Sequence, residues 1–309
     1  MAQAAQEPKW FCSHWWGECI KCFAECLEVH VQTRELSTDD PYWVCAYANR
    51  QHLLSQELVK DPYETSFFKA MKLAYGVLLI LDEKATPFTR IWCAFEEYVA
   101  LVDTARLEKP MLFDIATSSV DSGAQLLTDG YTSAEETLEP VNANRMKELR
   151  QLCFPIDVLQ PGFKPKLHTA QASKDDDRKH ILNKIAKRPL DEEPLESHPS
   201  YEVVNDSLGA ILAWASWPQA VRLGRCGALG IADVMKNATG PRQATATITL
   251  DFTAAKGNTT SDYDLAWSFG LPEQLFGFVA CLRRCDSITD AGVAALGAKL
   301  PSVLQHLSL

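Results

Sequence analysis

The chain has 309 residues, 47% hydrophobic and 23% charged, which is enough to bury the cores of two ordinary globular domains. A net charge of −10 excludes a nucleic-acid groove or an anionic membrane as the main partner. No apolar run approaches the ~20 residues of a membrane span. The opening residues 1–7 lack the basic start and apolar centre of a signal peptide, so the expected location is cytoplasmic.

The 10 cysteines then read mostly as buried free thiols. Cys19, Cys22 and Cys26 lie beside Phe23 and Leu27 with the spacing of a buried helix stripe, and no second ligand pair accompanies them, so no metal is expected.

In chain order, Lys9–Cys12 reads as a strand, Ser13–Gly17 as the loop leaving it, and Glu18–His30 as an amphipathic helix. Tyr42–Tyr47 reads as a second strand, and Gln51–Asp61 as a polar, partly helical stretch. Ser66–Ala74 predicts a helix leading into Gly76–Leu81, a continuous apolar run read as a buried third strand. Thr86 and Pro87 make a helix start, a hydroxyl cap followed by proline at the first helical position. Lys109–Ile115 predicts a fourth strand, 116–139 a polar surface excursion, 142–152 a helix and Phe154–Leu159 a fifth strand. Alternating strands and helices imply a flavodoxin-like parallel sheet, covered on both faces, whose ligands gather at the carboxyl ends of its strands.

The helix after Pro87 carries the one candidate for chemistry. At ~100° per residue, Phe88, Ile91, Trp92, Phe95, Val99 and Val102 share one side, while Arg90, Ala94, Glu97 and Leu101 face away. Glu96 falls at the edge of the apolar stripe, one turn after Trp92, half inside the fold beside an aromatic plane. Such carboxylates are otherwise solvated or paired with a nearby cation. Glu97, on the far side, should be dispensable. Rival chemistry finds no support: glycine-rich phosphate loops, a Gly-x-Ser-x-Gly elbow and His-Glu-x-x-His are all absent.

Further on, 173–187 predicts a charged helix burying Ile181, Leu182 and Ile185, and 188–200 holds three prolines among acids, the clearest linker. Residues 201–217 are apolar enough for a buried helix. Leu223-Gly224-Arg225-Cys226 is echoed by Leu282-Arg283-Arg284-Cys285, with Leu250-Asp251-Phe252 at the matching strand position between them. The unit Leu282–Leu296, followed by Leu304–Leu309, resembles the cysteine-containing leucine-rich repeats, in which each unit buries its leucines only against its neighbours. An unrelated small α/β domain is the alternative. Ending on a first strand without a polar cap, the array reads as truncated.

Trp10-Phe11-Cys12-Ser13-His14, the strand Gly76–Leu81 and Trp92-Cys93-Ala94-Phe95-Glu96 together resemble the Toll/interleukin-1 receptor (TIR) domain. The likeness covers about residues 9–165, ahead of a helix and Pro/acid-rich linker (166–204) and degenerate repeats (205–309). Arg90-Ile91 stand where a small serine-containing turn is commoner. The resemblance implies an intracellular, immune-type signalling protein. Some family members hydrolyse NAD⁺ at the nicotinamide–ribose bond, and others are scaffolds without turnover. It makes Glu96 the catalytic residue, with Ser13, His14, Trp16 and Trp92 as ligand contacts, no cofactor, and NAD⁺ as a substrate. It further implies self-association of the TIR-like domain and protein partners for the repeats. Against these roles, the residues by themselves favour Trp92 as core and His14 as a cap of the following helix.

Overall fold

The computed structural model describes residues 6–49, 59–103, 111–119 and 123–223, then 225, 229–231, 234, 247–251, 277–281, 288–298, 300 and 305–308. Two compact units emerge, one of residues 1–132 with 165–208 and one of residues 133–164 with 209–309.

The first unit is mixed α/β. Its elements are β1 (Trp10–His14), α1 (Ile20–Thr33), β2 (Tyr42–Val44), α2 (Cys45–Ala48), α3 (Ser66–Leu73), β3 (Gly76–Leu81), α4 (Ile91–Leu101), β4 (Leu112–Ser119), β5 (Gly123–Leu127) and, much later, α5 (Asp175–Ile185). The sheet has five strands in the order β2-β1-β3-β4-β5, parallel except for β5, which runs antiparallel to β4. Every residue of β3 is buried, as the central strand of a doubly covered sheet requires. Alternation along β1 splits its side chains between the two faces. Trp10 and Cys12 pack with Phe23 and Cys26 of α1, whereas Phe11 stacks on Trp43 at 4.8 Å. Gly76 lies opposite Trp10 in the register, and a Cβ there would stand 2.4 Å from the indole, so this position needs glycine.

Several sequence expectations change. Ser13 and His14 are the last residues of β1 rather than a loop. The second strand stops at Val44, and Cys45–Ala48 turn into helix, because this edge strand pairs only with Trp10, Phe11 and Cys12. Thr86 and Pro87 open a 3₁₀ turn (Thr86–Thr89) whose first amide and hydroxyl are both held by the Asp82 carboxylate, at 2.6 Å each; the α-helix begins only at Ile91. Residues 116–119 and 123–127, expected as surface, continue β4 and form β5. The buried hydroxyls there are satisfied, Thr117 donating to the Leu81 carbonyl (2.8 Å) and Ser118 to Glu25 (2.7 Å), so polarity disguised a strand. The stretch 154–159, expected as a fifth strand, instead enters a 3₁₀ helix, Ile156–Gly162, flanked and interrupted by Pro155 and Pro161. Most of 51–61 lies outside the described residues.

A buried ionic cluster ties α1 to the sheet. Asp114, fully buried on β4, accepts two bonds from Arg34 (2.7 and 2.6 Å) and faces His30 Nε2 at 3.0 Å. His30 Nδ1 in turn meets the Tyr42 hydroxyl at 2.5 Å. Arg34 also donates to the carbonyls of Asp129 and Tyr131, pinning the chain just after β5. The bonds from His30 and Arg34 hold the Asp114 carboxyl below its usual range despite the opposing effect of burial.

In the second unit, β6 (Thr247–Asp251), β7 (Gly277–Cys281) and β8 (His306–Ser308) form a parallel sheet of three strands. A helix, Asp290–Gly297, capped by the Thr289 hydroxyl, precedes β8. β7 ends just before Leu282; residues 282–285 and 252 lie outside the described set. Nearer the chain's middle, Pro140–Gln151 is helical, and Arg150 pairs with Glu135 at 2.9 Å. The helix Pro199–Arg222 extends past the 201–217 expected for it.

Candidate active site

In the order β2-β1-β3, the connection from β1 leads one way across the sheet and β3 begins the other half, which opens a crevice at the carboxyl ends of β1 and β3. A cavity of about 360 Å³ lies there, lined by residues of the β1–α1 connection, the first turns of α4, and a strap at 171–177 leading into α5.

Ser13 and Glu96 meet beneath it. Because β1 alternates, Ser13 faces α4, and its hydroxyl donates to Glu96 Oε2 at 2.5 Å. Glu96 lines the cavity yet is only 4% exposed, and among the described residues it has no ion pair. Burial pushes its carboxyl up to about 8, with the Ser13 bond opposing the rise. Glu97, expected on the outer side, is 1% exposed and carries one carboxyl oxygen without a hydrogen bond. Burial and then the neighbouring Glu96 push it well above the carboxylate range. The wheel reading fails here because α4 is enclosed on nearly every side: Ala94 and Tyr98 are buried as well, and only Trp92 among residues 91–100 is partly open.

Trp92 lines the cavity, stacked on Phe67 at 5.0 Å, and donates its Nε1–H to Asp177 at 3.0 Å. It is thus both a packing residue and part of the wall. Trp16 lines the cavity too and is half exposed, at 51%. Trp15 also lines it and folds over Gly17, where a Cβ would meet its ring at 2.3 Å. His14 contributes to the lining, but its ring packs at 4.7 Å against Phe23 of α1, on the sheet face opposite to Ser13. It does not cap the next helix: Nδ1 bonds the Trp15 carbonyl at 3.2 Å, and Nε2 is buried without a partner. Burial lowers its pKa, so the imidazole is neutral at pH 7. Beside it, 3.8 Å from Nδ1, the buried Glu18 carboxyl is raised to about 7 by burial and by Asp82.

Sequence reasoning missed the strap. Arg90 and Gln171 form an isolated parallel bridge: Gln171 N donates to the Thr89 carbonyl (2.8 Å) and Ile91 N to the Gln171 carbonyl (2.9 Å). The strap therefore satisfies the first amide of α4, an orphan in an isolated helix. Arg90 also donates to the Ser173 hydroxyl at 3.1 Å. No sequence pattern marked it, because its bonds to α4 run through backbone amides that every residue but proline carries.

Among the described residues, no group of three or more His, Cys, Asp or Glu side chains is placed to hold a metal ion, and no helix is long and apolar enough to cross a membrane. The fold and the site define a mixed α/β protein with a buried carboxylate at a strand-end cavity. No family model, no curated protein and no solved structure matches the chain.

Proposed function

We propose that the first unit is a TIR-like module whose cavity takes NAD⁺ or a related nucleotide, and that Glu96 assists cleavage of the nicotinamide–ribose bond. The observation that carries this reading is the Ser13–Glu96 contact at 2.5 Å, at the wall of a roughly nucleoside-sized cavity where the strand order reverses. Breaking the bond builds positive charge on the ribose, as in glycoside cleavage. A fixed carboxylate shielded from water stabilises that charge more strongly than one in solvent. Nicotinamide leaves as a neutral ring, so no general acid is needed. In the protein alone, a carboxyl at about 8 is mostly protonated at pH 7. A positively charged pyridinium entering beside it favours the anion, so the substrate itself charges the site. Trp92 and Trp16 supply flat surfaces for the ring, and Ser13 orients the carboxylate. The His14 ring, turned to the other sheet face, is left out of the contact set; its backbone carbonyl, which accepts the Cys93 thiol at 3.7 Å, stays at the wall.

The test is incubation of the full chain with NAD⁺ at high protein concentration, followed by chromatography for nicotinamide. The full chain is used because the strap at 171–177 forms part of the cavity. No release at any concentration, or equal release by Glu96→Ala, would sink the enzyme reading.

We read residues 205–309 as degenerate leucine-rich repeats serving a protein partner. The register supports this: Thr247, Gly277 and His306 align across the sheet at steps of about 30 and 29 residues. A second reading, a signalling scaffold without turnover, draws on Tyr47, Leu73 and Tyr75, apolar side chains that the first unit leaves exposed and that self-association would cover. It expects association that persists in Glu96→Ala and is lost when those three residues are made polar.

A further inference from the structure

Two thiols sit in the first turn of α1. Cys19 is the N-cap of that helix, directly after the loop that leaves β1, and is exposed; Cys22, three residues on, is half-buried. The sequence expectation of one buried stripe holds for Cys26 but not for this pair. We propose that Cys19 and Cys22 form a redox-active dithiol that exchanges with the disulfide of another molecule, Cys19 as the attacking and Cys22 as the resolving thiol. The Cys-x-x-Cys spacing at the start of a helix that follows a strand is the arrangement such chemistry needs.

The surroundings divide the roles. The Cys19 side chain makes no cap hydrogen bond, yet its place at the start of α1, beside the amides of Cys22 and Lys21 and the Cys22 thiol, lowers its pKa. Cys22 is shifted the other way, by burial first and then by its bond to Cys19, and so keeps its proton. The buried Cys12, Cys26 and Cys93 are all raised by burial and are inert as nucleophiles. Trp16 and Ile20, 51% and 73% exposed, give the apolar surface on which a polypeptide carrying the target disulfide would lie.

The step balances without another reagent. The Cys19 thiolate attacks one sulfur of R–S–S–R′, forming a mixed disulfide as that bond breaks and R′S⁻ leaves. Cys22, losing its proton, attacks Cys19 Sγ, closes the Cys19–Cys22 disulfide and expels RS⁻. The dithiol gives up two electrons, the substrate disulfide gains them, and the protons lost by the two cysteines match those taken up by the two product thiols.

The full chain, equilibrated at pH 7 with mixtures of oxidised and reduced glutathione, is quenched in acid, alkylated and mapped by mass spectrometry. The expected product is a Cys19–Cys22 disulfide within one chain. Cys22→Ser should instead accumulate a glutathione adduct on Cys19, and Cys19→Ser should give neither. Iodoacetamide on the unmodified, reduced protein supplies a measurement that needs no variant: Cys19 should react several-fold faster at pH 7 than Cys153, which is also exposed. The proposal is overturned if Cys19 reacts no faster than Cys153, or if oxidation yields bridges only between other thiols or between chains.

Discussion

The Ser13 hydroxyl and the Glu96 carboxylate stand 2.5 Å apart although 83 positions separate them in the chain. Ser13 is fully buried at the end of β1, so the bond fixes the carboxylate against the sheet and opposes the rise that burial imposes on it. Alanine at Ser13 removes that opposition. The pH profile of nicotinamide release should then move to higher pH, while Glu96→Ala should lose about 10²-fold or more in rate.

Cleavage by the unmodified protein should rise with pH through about 8, because the working form of Glu96 is the anion. The dependence should appear in kcat/KM, which reports the free protein's ionisation. A rate that falls over that interval would rule out a carboxylate role.

Stability should move the other way. Glu96 goes from 4.5 when unfolded to about 8 when folded, so the folded state holds the proton more tightly. This contribution is fully present below pH 4.5 and is lost as pH rises toward 8. Glu18, raised to about 7, adds loss over the lower part of that window. Thermal melts should show Glu96→Gln narrowing the difference in Tm between pH 5 and pH 9, the variant gaining a few kcal/mol at the alkaline end.

Glu97 should prove structural. Glu97→Gln keeps the volume and should leave melting near that of the parent at neutral pH. Glu97→Lys places an unpartnered cation in the α4 core and should cost about 3 kcal/mol or more, readable by urea unfolding. A harmless Glu97→Lys would restore the outward-facing reading of that position.

Removing Arg34 leaves the Asp114 carboxylate buried without its two-pronged partner. Arg34→Ala should destabilise by about 3–5 kcal/mol in denaturant titrations. Since the folded Asp114 carboxyl is held below its ordinary value, the cluster's contribution exists above the unfolded range and fades as acid lowers the pH through the folded pKa.

The residues themselves determined β3, the position of α3 and the buried side of α5, because unbroken apolar runs and helical spacing depend only on the chain's local pattern. The motif Trp92–Glu96 was likewise legible as an aromatic turn beside an acid. Where the pattern was mixed, tertiary contacts ruled. Satisfied hydroxyls let 116–119 continue a strand and 123–127 pair with it, the edge of the sheet shortened β2, and enclosure on nearly every side brought Glu97 inside. Only the folded chain decided that Ser13 meets Glu96 while the His14 ring turns away, since neighbouring side chains on a strand point to opposite faces. The strap from 171 to 177 was invisible for the same reason: it is held by backbone amides of α4, which every residue but proline possesses and no sequence pattern announces.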